Sequence, residues 1–318
     1  MLKISSILLS LLSITILASC SNRSESATPF SVNENDKGIE LLEDGQSVLF
    51  YQRKPKSLDG QYTRNNYIHP LYSLDGNVLT EDFPEDHPHH RGIFWAWHQI
   101  YVGDSLIADG WALKNFSTNV IEVKTELKNN SAKIKISADW TSPIFRNNRP
   151  YLEEKTMITI HKKKDSLRII DFRIELKALV EELKLGGSKD EKGYGGFSLR
   201  IKMPDDLKFT AEDGNIIPQK LQIDAGPWMD FSASFGAGEK ISGITLLCHP
   251  STPNYPQPWI IRQKGSMQNI VFPGRNVIEI PMNKPVILKY RLILHNGGAV
   301  KADIENWQAE YSSDSSIK

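Results

Sequence analysis

Apolar and polar residues alternate with a period of two over three stretches of the chain, residues 132–140, 170–177 and 288–292. Such alternation is typical of β-strands that turn one face to the core and the other to solvent. Turn signals such as Asp59-Gly60 and Pro273-Gly274 separate further stretches that we interpret as strands. These candidate strands cover residues 48–51, 67–74, 93–99, 119–127, 155–161, 195–202, 241–248 and 259–262.

A helical period is convincing only near the C-terminus, where Ile304, Trp307 and Tyr311 share one face and Asp303 can cap the start. Many antiparallel strands with almost no helix indicate a sandwich or a barrel. We find no linker and no internal repeat among the strands. The pattern therefore predicts one all-β domain over residues 37–318, a large antiparallel β-sandwich with a short C-terminal helix.

The N-terminus has the pattern of a bacterial secretory signal, with Lys3 followed by a run of apolar residues and then small residues. The motif Leu-Ala-Ser-Cys at 17–20 resembles the lipobox of bacterial lipoproteins, which implies a signal peptide over 1–19 and a lipidated Cys20. The alternative, a membrane-spanning anchor, needs a longer apolar run of about 20 residues. We expect a flexible tether over 20–36 and a lipid-anchored protein of the bacterial cell envelope that faces the periplasm.

Composition narrows the classes of function. The 318 residues include 38 Lys and Arg against 38 Asp and Glu, and this balance argues against a nucleic-acid partner. Hydrophobic residues make up 40% of the chain and aromatic residues 9%, which excludes a mostly disordered protein. With Cys20 lipidated, Cys248 is the remaining cysteine, so we expect no internal disulfide and a buried Cys248 within its apolar run.

Histidine is concentrated in residues 69–98, which hold five of the eight, and most densely in a loop over 82–92, here the histidine loop. Two prolines keep this loop extended. In an extended chain His87 and His89 project to one side and His90 to the other. So many titratable groups rarely gather for packing alone, and the density therefore predicts a functional site.

Two chemistries of the histidine loop depend on the imidazoles themselves. Imidazoles titrate near neutral pH, so these residues can move protons as general acids and bases. Alternatively, His87 and His89 with a carboxylate such as Asp86 or Glu85 can bind a divalent metal, although their spacing is not a standard ligand motif. A divalent metal is therefore a candidate cofactor, and no cofactor is certain.

A third chemistry, carbohydrate binding, involves the residues that follow the histidines. Trp95 or Trp97 would pack an indole face against the C–H surface of a sugar ring. Arg91 would fix a hydroxyl or a carboxylate of the same ligand. The structural alternative is a loop whose histidines only bond backbone carbonyls.

A glycine-rich segment, residues 193–200, is the second candidate site element. Its glycines allow the backbone to approach a ligand closely, and its Tyr194 and Arg200 offer polar groups for a hydroxyl or an anion. The segment is not a phosphate loop, because no Gly-Lys-Ser/Thr follows and no helix opens after it. A tight turn that leads into a strand explains it equally well.

A proline-rich segment, residues 248–259, is the third candidate site element. His249 directly follows an apolar strand, where sites tend to form, and Trp259 ends the segment. A rigid surface loop is an equally good explanation. Two further tryptophans, Trp111 and Trp228, fit either an aromatic wall of the site or the core. We interpret His161 and His295 as structural residues.

Three of these motifs together resemble a bacterial family labelled "methane oxygenase PmoA". They are Asp-His-Pro-His-His-Arg-Gly at 86–92, Gly-Tyr-Gly-Gly-Phe at 193–197, and His-Pro at 249–250 before Pro-Trp at 258–259. The resemblance covers most of the mature chain and implies a role in carbohydrate metabolism. Methane oxidation is not carried over, because the membrane subunit of that name has spanning helices and this sequence has none beyond its signal.

The layout is also similar, more faintly, to the galactose-mutarotase supersandwich. That resemblance implies that the segment His-Arg-Gly at 90–92 lies over a concave sheet that binds sugar. It also implies a second basic group, for which His249 is the candidate.

These observations together predict a carbohydrate-active enzyme, a hydrolase, lyase or epimerase that works by acid/base chemistry. The alternatives are a non-catalytic glycan-binding lipoprotein and a metal-dependent enzyme with His87 and His89 as ligands. The expected partners are a carbohydrate and, through the lipid anchor only, a membrane. The predicted catalytic residues are His87, His89, His90 and His249. The predicted substrate-binding residues are Arg91, Trp95, Trp97, Tyr194, Arg200 and Trp259.

Overall fold

A computed structural model of the chain describes residues 28–236, 238, 240–298 and 300–314. The signal peptide predicted over 1–19 and the lipidated Cys20 lie outside the described residues and stay predictions. Within the described ranges, no helix has the length and apolar character needed to cross a membrane. The architecture is all-β with one α-helix at its C-terminal end, which confirms the predicted fold class.

The first part of the chain forms twelve strands, of which β7 follows the histidine loop. They are β1 (Phe30–Glu34), β2 (Gly38–Glu43), β3 (Gln46–Gln52), β4 (Lys56–Leu58), β5 (Gln61–Arg64), β6 (Tyr67–Leu71), β7 (Ile93–Trp97), β8 (Gln99–Val102), β9 (Ser105–Ala108), β10 (Ser117–Lys128), β11 (Ser131–Thr141) and β12 (Leu152–His161).

The second part adds eleven strands and the helix. They are β13 (Leu167–Ala178), β14 (Leu183–Gly186), β15 (Gly195–Leu199), β16 (Lys208–Ala211), β17 (Gly214–Asn215), β18 (Trp228–Ala233), β19 (Ser242–Cys248), β20 (Trp259–Ile260), β21 (Gln268–Val271), β22 (Ile278–Glu279), β23 (Val286–Asn296) and α1 (Lys301–Ser313). A short 3₁₀ turn, Arg146–Asn148, precedes β12.

Two large antiparallel sheets enclose the main core. One has eight strands in the order β1-β2-β3-β6-β7-β15-β21-β20, and the other has nine in the order β10-β11-β12-β13-β23-β19-β18-β16-β17. Side chains of both sheets belong to one buried cluster, in which Phe172 of β13 contacts Phe197 of β15 with ring centroids 5.0 Å apart. This packing confirms the predicted sandwich.

The eight-stranded sheet is also covered on its outer face. A second apolar cluster there contains Tyr67, Phe94, Ala96, Trp111 and Met267, with Tyr194 packed against it. Strand β7 is therefore buried at all five positions, because its alternate residues face two different clusters. The histidine loop leads directly into β7, so this outer cluster is the base on which the loop rests.

Helix α1 packs on the outer face of the nine-stranded sheet. As predicted, Ile304 and Tyr311 share one buried face, and they join a cluster that includes Trp228. The predicted cap is wrong by one turn, because the helix begins at Lys301 after Val300 and Asp303 lies inside the first turn. There its charge still complements the positive end of the helix dipole.

The predicted tether over 20–36 is also wrong in its described part. Strand β1 pairs antiparallel with β2 from Phe30 to Glu34, and the side chain of Phe30 is buried in the core. The folded domain therefore begins before residue 37, since burying an aromatic ring and completing an edge ladder favours order over flexibility.

Candidate functional site

The histidine loop is turned rather than extended. Backbone hydrogen bonds from His87 to the carbonyl of Pro84 (3.2 Å) and from His90 to the carbonyl of His87 (2.9 Å) close two successive turns. The rings of His87 and His90 stack with centroids 4.8 Å apart, and His89 lies 4.5 Å from His90. The prediction that His90 projects away from the other two is wrong, because the turns bring all three imidazoles together.

Asp86 joins this cluster to the sheet. Its carboxylate accepts hydrogen bonds from Nη2 (2.6 Å) and Nη1 (3.0 Å) of Arg200 and lies 2.6 Å from Nδ1 of His87. Arg200, which follows β15, also donates from Nε to Glu81 (2.7 Å) and is only 3% exposed. Arg200 is thus committed to two carboxylates, so its predicted contact with substrate gives way to a role in fixing Asp86.

The charge state of this pair follows from its contacts. Burial works against ionisation of Asp86, but the hydrogen bonds from Arg200 and His87 outweigh it and lower its pKa to about 2. An ionised carboxylate only accepts hydrogen bonds, so Nδ1 of His87 carries the proton that it shares with Asp86. Nε2 of His87 has no hydrogen-bond partner among the described residues.

Exposure distinguishes the three histidines. The side chain of His87 is 41% exposed, whereas His90 is 2% exposed and His89 is half-buried. Burial lowers the pKa of His89 to about 4 and that of His90 to about 2, with neighbouring basic groups adding to both shifts. Both rings are therefore neutral at physiological pH. His87 is the histidine of the loop placed to exchange a proton with a ligand.

An aromatic layer supports the histidines from below. The ring of His90 lies 6.1 Å from Phe94 and 6.0 Å from Trp111, and Nδ1 of His90 is buried without a partner in the described structure. Trp111 in turn contacts Tyr194 with ring centroids 5.6 Å apart. The hydroxyl of Tyr194 accepts a hydrogen bond from Arg262 (2.6 Å), and the described structure shows no direct ring contact between Tyr194 and the three histidines.

Asp86 and Arg200 also line a cleft of about 500 Å³ beside the loop. Carboxylates dominate its polar surface, and carboxylates accept hydrogen bonds from hydroxyl groups. The remaining lining residues are Glu81, Glu85, Met203, Asp205, Lys264 and Gly265.

The loop does not have the geometry of a metal site. Across residues 28–314, apart from the three positions left undescribed, no group of three or more His, Cys, Asp or Glu side chains is arranged to hold a metal ion. Two of the rings stack, and Nδ1 of His87 is occupied by Asp86. The predicted metal role of His87 and His89 therefore receives no support from the arrangement of their nitrogen atoms.

The predicted tryptophans lie in the core instead of the site. Trp95 and Trp97 point to the inter-sheet face of β7 and are 5% and 0% exposed, and Nε1 of Trp97 donates to the carbonyl of Phe272 (2.8 Å). Trp259 is also fully buried, with Nε1 donating to the carbonyl of Gly226 (2.9 Å). In these positions no indole face is available to a sugar.

Arg91 lies beneath the loop and is fully buried. Its guanidinium pairs with Asp82 (3.2 Å), stacks on Phe83 with 3.5 Å to the ring centroid, and donates to the carbonyls of Pro88 and Tyr62. All these partners belong to the loop or to the neighbouring β4–β5 hairpin. Arg91 therefore holds the loop in its turned conformation and is not available to a substrate.

His249 lies away from the histidine loop. It follows β19 of the nine-stranded sheet and packs against Tyr311 of α1, with ring centroids 5.0 Å apart. The structure thus groups His87, His89 and His90 with Arg200, and it separates His249 from them. The sequence named Asp86 only as a carboxylate near the histidines, and it did not identify Glu81 at all.

The fold and the loop together define an all-β sandwich protein with a surface cleft lined in part by Asp86, the carboxylate that contacts His87. Residues 38–308 match the model of DUF6807, a family of unknown function, and the chain belongs to this family. The comparisons do not bear out the label "methane oxygenase PmoA". No match was found among curated proteins.

One solved structure to which the chain is similar is a "putative mutarotase (YeaD)" from Salmonella typhimurium. The identity is 9% and the TM-score 0.33, over 84% of this chain and 94% of that chain. A likeness of this size establishes nothing about activity. The sugar chemistry implied by the mutarotase resemblance therefore stays a prediction.

Proposed function

We propose that this chain is a carbohydrate-active enzyme of the cell envelope, in which His87 moves a proton to or from a saccharide bound in the cleft beside Asp86. The observation that carries this proposal is the 2.6 Å contact between His87 Nδ1 and Asp86, whose carboxylate is itself fixed by the buried Arg200. A histidine oriented in this way by an ionised carboxylate is a recurrent arrangement for general base catalysis.

The chemistry follows from the tautomer. Because Nδ1 carries the proton shared with Asp86, the lone pair of neutral His87 is on Nε2, which has no partner in the described structure. Nε2 can therefore accept a proton from a hydroxyl, from a water molecule or from a carbon next to a carbonyl group. The imidazolium that forms is stabilised by Asp86, as in other His–Asp pairs. Hydrolase, lyase and epimerase reactions all use such a step.

The cleft favours a neutral saccharide. Its volume of about 500 Å³ lies within the range of small-molecule sites, and its polar lining suits a ligand rich in hydroxyl groups. Four carboxylates face two cationic groups, Arg200 and Lys264, and Arg200 is already paired. An excess of negative charge would repel a uronate, so we expect neutral sugars to bind here more tightly than acidic ones.

The test is a screen of neutral oligosaccharides, followed by NMR of the products, with wild type and three variants. We expect His87→Gln and Asp86→Asn each to lower kcat by about 100-fold or more, because each removes a part of the proton-transfer pair. His161→Gln is the matched control, since it alters another His–Asp pair outside the cleft. That variant should keep wild-type turnover.

The outcomes separate the alternatives. Full turnover in His87→Gln would exclude His87 as the proton-transferring group. Saturable sugar binding without turnover, if His87→Gln does not change it, would indicate a glycan-binding protein instead of an enzyme. Activity that is lost with a chelator and restored by one metal would favour the metal-dependent alternative.

A further inference from the structure

The outer face of the nine-stranded sheet carries a trough that the proposed function does not use. Two adjoining hollows of about 600 Å³ and 240 Å³ lie along it and share Met157 and Arg173 in their walls. The larger one runs toward β10, and the smaller one reaches Asp314 at the end of α1.

Strand register places a row of cationic side chains on this face of the sheet, and the row runs from the trough to Lys289 beyond its lining. Lys124 pairs with Lys135, Lys135 with Met157, Met157 with Arg173, and Arg173 with Lys289. Directly paired residues of neighbouring strands point to the same face of a sheet. Four positive side chains therefore flank one methionine, and we call these five residues the cationic row.

The two ends of the cationic row differ in their ion pairing. Lys124 pairs with Glu122 (2.7 Å), and Lys135 pairs with Glu126 (2.5 Å) on the same face. Lys289, at the other end, has no carboxylate within ion-pair distance in the described structure, although it is only 9% exposed. Its Nζ is not enclosed with the rest of the side chain, so the ammonium is a solvent-accessible cation whose charge no described carboxylate offsets by direct contact.

The charged groups near Lys289 are paired elsewhere or do not reach it. Arg173 pairs with Glu175 through one terminal nitrogen, while its Nε is buried without a hydrogen-bond partner. Burial and the charge of Arg173 lower the pKa of Lys289, and Asp314 opposes this shift from a distance. Asp314 contacts Arg291 (3.4 Å).

His249 adds a third donor to the same end. Its backbone N–H donates to the carbonyl of Lys289 (3.3 Å), so the two residues are neighbours on adjacent strands. Nδ1 of His249 accepts a hydrogen bond from the backbone N–H of Ser251 (3.0 Å), which places the proton of the neutral ring on Nε2. That Nε2 is buried without a partner, and His249 is 8% exposed.

We propose that the inner end of the cationic row is an oxyanion-binding site, in which Lys289, Arg173 and His249 donate to a carboxylate, sulfate or phosphate group. A lysine ammonium, a guanidinium Nε–H and an imidazole Nε2–H are all donors, and an oxyanion supplies several acceptor oxygens to match them. The site is independent of the histidine loop and of the neutral sugar proposed there. An acidic saccharide or a free inorganic anion would each supply the required group.

The test is calorimetric titration of the full chain with sodium sulfate, phosphate and glucuronate at constant ionic strength, with glucose as the uncharged probe. We expect saturable binding of at least one of the anions and none of glucose at this site. Lys289→Met should weaken that binding at least about tenfold, because it removes the charged donor. His249→Gln should weaken it by a smaller factor, since that donor is neutral.

Lys124→Gln is the matched control, because Lys124 is exposed and already paired with Glu122. It should leave the anion affinity unchanged, which separates a local site from the general charge of the face. Near-UV circular dichroism checks that Lys289→Met is folded. Tighter binding of glucuronate than of sulfate and phosphate would identify the source as a saccharide carboxylate, and the reverse would identify an inorganic anion.

Two results would overturn the proposal. One is the absence of saturable binding for all three anions. The other is equal weakening by Lys289→Met and Lys124→Gln, which would mean that only the overall charge matters. His87→Gln should bind anions as wild type does, so failure here and failure of the proposed function are distinguishable.

Discussion

Two His–Asp–Arg triads among the described residues have similar contacts but different surroundings. In one, the loop triad, an aspartate accepts two bonds from an arginine and contacts a histidine at 2.6 Å. In the other, the sheet triad, an aspartate accepts bonds of 2.6 Å and 3.0 Å from an arginine and lies 2.7 Å from a histidine. The loop triad is His87, Asp86 and Arg200. The sheet triad is His161, Asp171 and Arg291.

Exposure of the carboxylate separates the two triads. Asp86 is 33% exposed at the edge of a cleft, whereas Asp171 is 8% exposed and its arginine, also 8% exposed, lies over the ring of Tyr311 of α1. Asp171 and Arg291 are paired in register across two strands, so the sheet fixes their positions. The same three residue types therefore form a partly exposed group in a loop and a more buried link between sheet and helix elsewhere.

The largest expected effect is on the free energy of unfolding, and it tests whether the exposure of the aspartate distinguishes the two triads. Asp171→Asn should lower the free energy of unfolding by about 3–5 kcal/mol, because it leaves the buried Arg291 without its main counter-charge. Asp86→Asn should cost less than about 1 kcal/mol, because Asp86 is partly solvated and Arg200 keeps its bond to Glu81. Urea denaturation of both variants measures the two values.

A double variant sharpens the same comparison. Asp171→Leu combined with Arg291→Met removes both charges, so it should recover much of the stability that either single change removes. Equal costs for Asp171→Asn and Asp86→Asn would show that exposure does not distinguish the two triads.

The next effect is a pH dependence carried by the histidine loop. In the folded chain the pKa of His90 is lowered to about 2 from an ordinary value of 6.5, chiefly by burial. Below pH 6.5 the unfolded chain therefore gains a proton that the folded chain does not. Stability is greatest above pH 6.5 and falls as the pH drops toward 2, by about 1.4 kcal/mol per pH unit for this group.

His90→Gln should remove this contribution and flatten the curve of unfolding free energy against pH between 6 and 4.5. Urea denaturation at several pH values gives the slope for wild type and variant. His89 contributes in the same direction until the pH nears 4, so some slope should remain. An unchanged slope in His90→Gln would mean that His90 is protonated in the folded chain.

Alternation in the sequence predicted the long strands of the fold because each of them shows at least one regular face. Strands β11, β13 and β23 enclose the three predicted stretches. Strands of two to four residues, such as β4, β17 and β22, are too short to display a period and were missed. The stretch 93–99 was predicted as one strand, yet the chain leaves one sheet at His98 and enters another as β8.

The candidate site was predicted in part. Histidine density located the loop, because rare residues in one segment are visible without a structure. Side chains alternate in direction along a strand, which predicted that Trp95 and Trp97 share one face of β7 and Phe94 lies on the other. Because both faces are apolar, the sequence could not show which one faces the main core. The sequence also could not identify Arg200 as the partner of Asp86. The two residues are 114 positions apart in sequence, and the pairing of β7 with β15 brings them together.

The smallest expected effect is the one of an Arg-to-Lys substitution in each triad, which tests what the arginine supplies beyond its charge. Arg200→Lys keeps the positive charge but cannot make two parallel bonds to Asp86 and a third to Glu81. We expect about a tenfold lower kcat with little change in KM, because a looser Asp86 no longer fixes the ring of His87. Unfolding free energy should fall by only about 1 kcal/mol.

Arg291→Lys is the counterpart in the sheet triad, and it should lower stability by a similar amount while leaving turnover at the wild-type level. The contrast depends on position alone, because the chemical change is the same at both sites. If both substitutions reduced turnover equally, the sheet triad would have to act on the cleft through the core. If Arg200→Lys left kcat unchanged, a single charge–charge contact would be enough to orient Asp86, and the two-bond geometry would have no role in catalysis.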